Sequence, residues 1–167
     1  SGIAKTILNK SPRHAKYERE NKRESSRAQD IGSLLHGVVL GIGESPVLYP
    51  EDCYKKDGSL NGKTAGEFRD SLAADQIAVK PADMVKLEGM VASAREALAS
   101  IGIEIDPRNS ELQAYTEIDG LEVRAMFDYI PPFPSLPIID LKKTQDASPK
   151  ATERTMTQYG YDFQREW

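Results

Sequence analysis

The chain has 167 residues, 39% hydrophobic and 29% charged, with a net charge of -4. This length and composition fit one soluble globular domain, and twelve Gly with ten Pro are too few for a collagen-like or low-complexity chain. No apolar run reaches the roughly 18 residues of a membrane span, since Leu34 to Ile42 is interrupted by His36, Gly37 and Gly41. The lone Cys53 excludes an internal disulfide framework and a cysteine-based zinc cluster, so a cytoplasmic protein is expected. The opening on Ser1 rather than Met suggests an excised piece.

From Lys10 to Arg27 the chain carries Lys10, Arg13, Lys16, Arg19, Lys22, Arg23 and Arg27 against Glu18, Glu20 and Glu24. Spacing of three to four gathers several on one helical face, which could meet phosphates or stand as a solvated, ion-paired surface. Ser11 before Pro12 predicts a capped helix start. Asp30 predicts the opening of a short helix whose apolar stripe is Ile31, Leu34, Leu35 and Val38. His36 lies off that stripe, and Gly32 one turn earlier leaves room for another element to approach it.

Gly41, Gly43, Pro46 and Pro50 predict a loop, and the Lys-, Gly- and Asn-rich stretch from Tyr54 to Lys63 predicts another. Thr64 with Glu67 has the pattern of a capping box for a helix to about Asp75. Pro81 opens the longest expected helix, to about Ile101, with the stripe Met84, Leu87, Val91, Ala94, Leu98 and Ile101. From Glu111 the period becomes two. Asp119-Gly120 supplies a hairpin turn, and the return strand places Leu121, Val123, Ala125 and Phe127 on one face. A third short strand is expected over Ile138 to Lys142, and Ser148-Pro149 predicts a last helix running toward Trp167. The expected class is α/β or α+β: a small mixed central sheet with a three-strand β-meander, flanked by helices.

Period two puts Asp140 and Lys142 on one face of the third strand, about 7 Å apart along it. Asp128 comes from the polar face of the neighbouring strand. Carboxylates meeting across strands repel unless a cation lies between them, and such oxygen ligands suit Mg²⁺ or Mn²⁺. Lys142 beside that ion could orient a water or neutralise a phosphoryl group. A cross-strand salt-bridge cluster is the alternative.

Asp128-x11-Asp140-x-Lys142 resembles the PD-(D/E)xK nuclease signature in its Asp-Leu-Lys form. Gly32-Ser33-Leu34-Leu35-His36 is similar to the "G-[ST]-x-x-H" element of RecB-type nucleases. Ser11-Pro12-Arg13-His14 resembles the "SP-x-H" of RecE-like phage exonucleases, and Tyr159-Gly160-Tyr161-Asp162-Phe163-Gln164 falls where that family has a tyrosine- and glutamine-bearing helix. The resemblance spans nearly the whole chain, in family order. It implies a restriction-endonuclease-like core in a single domain over residues 1–167, with His36, Asp128, Asp140 and the Leu141 carbonyl as ligands for Mg²⁺ or Mn²⁺. Lys142 would be the catalytic lysine, Glu111 an additional acid, and Tyr161 and Gln164 would line the site and hold the DNA strand. Arg13, Lys16 and Arg23 become candidate DNA contacts.

The implied activity is exonucleolytic digestion of double-stranded DNA from a 5′ end for recombination or phage DNA metabolism, with a homo-oligomer and a single-strand annealing protein as possible partners. The alternatives are a nuclease of this superfamily acting on single-stranded or branched DNA, and an inactive DNA-binding module of the same fold. The chain departs from the RecB-type Gln-x-x-x-Tyr pattern, because it ends at Trp167 and the aromatic partner of Gln164 is missing. A domain truncated at its C-terminus is therefore expected.

Overall fold

The computed structural model describes residues 6–7, 9–21 and 26–159. The chain divides into two compact units, Ser1–Ile31 and Gly32–Trp167. Helix α1 (Pro12–Glu20) belongs to the first. Its N-cap is Ser11, whose hydroxyl accepts from the His14 amide and lies 2.8 Å from the His14 Nδ1, so the Ser-Pro-Arg-His element is a closed helix cap. Helix α2 (Arg27–Leu40) begins earlier than the expected Asp30. Its start is a reciprocal cap, in which the Ser26 amide donates to Gln29 Oε1 and the Gln29 amide to Ser26 Oγ.

In the second unit, strand β1 (Ser45–Leu48) pairs in parallel with β2 (Gln76–Val79), with Val47 against Ala78. Strand β1 falls where the sequence suggested a loop, and β2 falls between two predicted helices where no element was expected. Each is four residues long, too short for a period-two signal to show, and Pro46 tolerates its place because the strand has a free edge. The crossover runs through a 3₁₀ turn (Glu51–Cys53) and helix α3 (Gly62–Ser71). Asn61, not Thr64, caps α3, its side chain accepting from the Lys63 amide. The buried Tyr49, Cys53 and Ala65 form a small core here, with Phe68 and Ala78 packed against it. Helix α4 (Pro81–Ser100) packs on β1 and buries Leu87, Val91 and Leu98 of the expected stripe, while Ile101 past its end is exposed.

Strands β3 (Ser110–Ile118) and β4 (Leu121–Tyr129) form an antiparallel hairpin closed at Asp119-Gly120, both with positive φ as a tight primed turn requires. Leu112, Ile118 and Leu121 on one face of that hairpin are exposed. The expected third strand is reduced to a single antiparallel bridge, Tyr129 to Ile139. The four prolines between Pro131 and Pro137 remove ladder donors and hold the chain in an open connection, so only one pair forms. The described residues thus contain two separate two-stranded sheets, not one mixed central sheet. The class is mixed α and β. Helix α5 (Pro149–Tyr159) closes the described chain.

Two contacts fix the C-terminal end of α2. Its last carbonyls have no helical partner; Arg95 of α4 donates to Val38 O at 2.9 Å, and the buried Ser110 hydroxyl of β3 donates to Leu40 O at 2.9 Å. A Cβ on Gly37 would stand 2.1 Å from the Glu44 carbonyl oxygen, so the helix can lie against the following turn only with glycine there. Gly32, by contrast, meets nothing within 4 Å. The close approach expected at Gly32 belongs to Gly37.

Candidate functional site

Ser110 pairs with Tyr129 across the hairpin, and Asp128 is the next residue of β4. The same serine that holds the end of α2 therefore sets the height of His36 against Asp128. His36 Nδ1 lies 3.6 Å from Asp128 Oδ2. Its Nε2 lies 2.6 Å from the Leu141 carbonyl oxygen, which can only accept, so Nε2 carries a proton and donates. Asp128 Oδ2 also accepts from the Leu141 amide at 2.6 Å. Both side chains are largely screened from solvent, 26% exposed for His36 and 13% for Asp128.

Two oxygens thus converge on one imidazole, from a helix and from two segments remote in sequence. The carboxylate faces one ring nitrogen and the carbonyl the other, so the imidazole bridges β4 and the segment of Leu141. Asp140 and Lys142 meet on the outer side of the same segment, with Lys142 Nζ donating to Asp140 Oδ1 at 2.5 Å. The two side chains meet as an ion pair, although the strand expected to place them on one face is not formed beyond the Ile139 bridge. Among the described residues no three His, Cys, Asp or Glu side chains form a ready metal-binding group. Asp140 is paired with Lys142.

Glu111 stands at the position opposite Asp128. The ladder pairs Ser110 with Tyr129 and Leu112 with Phe127, and the position between them is skipped. There Glu111 takes φ 49°, in the left-handed region that side chains other than glycine rarely adopt. Two carboxylates directly opposed would repel, and the ladder breaks where they would meet.

Arg13 and Lys16 are exposed on α1, in the first unit. Lys16 lies 3.9 Å from Glu20 and Lys10 lies 2.9 Å from Glu18, so the basic stripe is partly answered by its own acids. Arg23, Tyr161 and Gln164 lie outside the described residues. Cys53 is buried in the small core. A cavity of about 640 Å³ opens between α2 and α4, lined by Val38, Arg95, Leu98 and Ile103, and no residue of the His36 site lines it. No signal in the sequence marked Ser110, Arg95 or Gly37 as the residues that hold the site together.

No helix among the described residues is long and apolar enough to cross a membrane. No family model, curated protein or solved structure matches the chain.

Proposed function

We propose that this chain is a metal-dependent deoxyribonuclease with a PD-(D/E)xK core, similar to the RecE-like exonucleases, acting on the ends of duplex DNA. The observation that carries this reading is the meeting of His36 with Asp128 and Leu141. Three of the four groups that the resemblance names as ligands come together although Leu141 lies 105 residues from His36. A salt-bridge cluster on the hairpin would give no reason for a helical imidazole and a main-chain carbonyl to join it.

The donor set fits a hard divalent cation: carboxylate oxygens of Asp128 and Asp140, the Leu141 carbonyl and one imidazole nitrogen. These residues would hold Mg²⁺ or Mn²⁺, which supplies a Lewis acid beside the scissile phosphate when bound. Lys142, already anchored to Asp140, positions the attacking water and offers positive charge to the phosphate. Glu111, forced out of the ladder beside Asp128, supplies a further acidic group at the same edge. Asp140 and Lys142 are accessible to a polymeric substrate, and no residue of the site lines the cavity.

Digestion of linear duplex DNA with Mg²⁺ tests the reading directly. Wild-type protein should degrade it, and Asp140→Ala or Lys142→Ala should lower the rate by about 100-fold or more, the scale on which preorganised charge contributes. Both side chains are substantially exposed, 57% and 38%, so the variants should stay folded. Equal rates in wild type and both variants would rule the site out. Comparing linear duplex, nicked circle and single strand separates the end-specific exonuclease from its relatives.

A further inference from the structure

The two acids of the site are joined by a short loop with an unusual tip. Tyr129 and Ile139 clamp its two stems, their amides donating to each other's carbonyls at 3.2 and 3.0 Å. Asp128 and Asp140 are the residues immediately outside that clamp. Tyr129 is itself fixed, 1% exposed, with its hydroxyl donating to the Glu104 carbonyl. Inside the loop Pro131 is buried, and Pro132, Pro134 and Pro137 each lock one backbone angle. A turn in which the Leu136 amide donates to Phe133 O tightens the tip. At that tip Phe133 is 65% exposed.

A phenyl ring exposed on a stiff support leaves an apolar face open to a flat partner. The support matters as much as the ring. Proline-locked backbone holds the ring on a loop whose clamped base carries both acids, and little conformational entropy is lost when a flat partner stacks on it. Lys142 and Lys143 stand two and three residues beyond Asp140 at the base of the loop, so a partner reaching both the ring and these lysines is anionic and carries flat apolar faces. Unpaired nucleotides have that chemistry, with a phosphate for the lysines and a base for the ring.

We infer that Phe133 is a base-stacking platform: it holds an unpaired nucleobase of a frayed DNA end while the neighbouring phosphate lies at Asp128, Asp140 and Lys142. The inference rests on the nuclease reading of that site and adds the form of substrate it engages, a strand end with its terminal bases unpaired. Duplex bases are stacked on each other and present only edges, so a fully paired end would gain little from the ring.

The test measures binding of an oligonucleotide duplex with an unpaired 5′ or 3′ end by fluorescence anisotropy, with Ca²⁺ replacing Mg²⁺ to suppress cleavage. Phe133→Ala should weaken binding of the frayed end by about fivefold or more, the range of a single base stack. Phe133→Trp should restore it, and Phe133→Leu, which keeps apolar bulk without a flat ring, should not. An abasic site scanned along the unpaired end should at one position cost wild type the same factor and cost Phe133→Ala nothing further. Full affinity in Phe133→Leu or Phe133→Ala overturns the platform while Mg²⁺-dependent hydrolysis by wild type leaves the nuclease reading standing. A change in sedimentation of Phe133→Ala with unchanged DNA affinity also overturns it, and assigns the ring to contact between copies of the chain. Wild type that neither binds nor cleaves DNA removes both readings together.

Discussion

His36 Nδ1 stands 3.6 Å from Asp128 Oδ2, while the same carboxylate oxygen accepts the Leu141 amide. The imidazole is tied on its other side to Leu141 O. Asp128 therefore touches both the helix, through His36, and the final acidic segment, through Leu141. The Leu141 amide answers part of its charge.

Metal affinity separates the nuclease site from a salt-bridge cluster. Asp128→Ala should lose measurable Mn²⁺ binding in calorimetry. Lys142→Ala should keep it or strengthen it, because the Asp140 oxygen held by Lys142 is released, while its hydrolysis falls. Parallel loss or parallel retention of Mn²⁺ binding in both variants would count against the assigned roles.

Ser110→Ala probes how the fold delivers His36. The hydroxyl is 4% exposed and donates to Leu40 O, so its removal leaves a buried carbonyl unpaired at the end of α2. A loss of about 1–3 kcal/mol is expected from urea unfolding. If His36 takes its height from this tie, Mn²⁺ affinity should fall in the variant as well, although Ser110 is no ligand. Destabilisation with full Mn²⁺ affinity would show that α2 is held in register by Arg95 and Gly37 alone.

Legibility in the sequence followed signal length. The long helix from Pro81 and the Asp119-Gly120 hairpin were readable because twenty residues of helical stripe and a specific turn pair leave little choice. The β1–β2 pair was not, since four-residue strands, one of them set among glycines and prolines, carry too little period-two signal until a partner is supplied from elsewhere in the chain. Of the site, the pairing of Asp140 with Lys142 was legible from their spacing. The arrival of His36 was carried only by family likeness, because the groups that bring it there are a serine, an arginine and a glycine whose roles exist only in three dimensions. The Phe133 loop read simply as a proline-rich connection; its clamp at Tyr129–Ile139 is a tertiary contact with no local signature.

Glu111 sets stability against activity. At φ 49° glycine is comfortable and glutamate is strained, so Glu111→Gly should stabilise the fold by about 1 kcal/mol. Its hydrolysis of duplex DNA should fall, as should that of Glu111→Gln, which keeps the strain and removes only the charge. Chemical denaturation and rate measurements on the two variants read the two effects apart. Undiminished hydrolysis in both would return Glu111 to an ordinary strand-edge residue.

Tyr54 gives an alkaline limit to stability. Its hydroxyl is buried with no hydrogen-bond partner, and burial, reinforced by the nearby Tyr49, Cys53 and Asp83, pushes the phenol above its ordinary value of 10.0. The folded chain therefore holds the Tyr54 proton more tightly than the unfolded chain does. That contribution is complete below the unfolded value and is lost as pH rises from it through the folded value. Wild type should lose stability progressively above about pH 10, with Tyr54 ionising later than the exposed tyrosines in an absorbance titration. Tyr54→Phe keeps the ring in the small core and removes an orphan hydroxyl, so it should be neutral or stabilising by up to about 1 kcal/mol at pH 7. In this variant the Tyr54 share of the alkaline loss should vanish, narrowing the fall in melting temperature between pH 9 and pH 11. An identical alkaline slope in both proteins would place the limit on other groups, and a large destabilisation at pH 7 would mean that the hydroxyl has a partner.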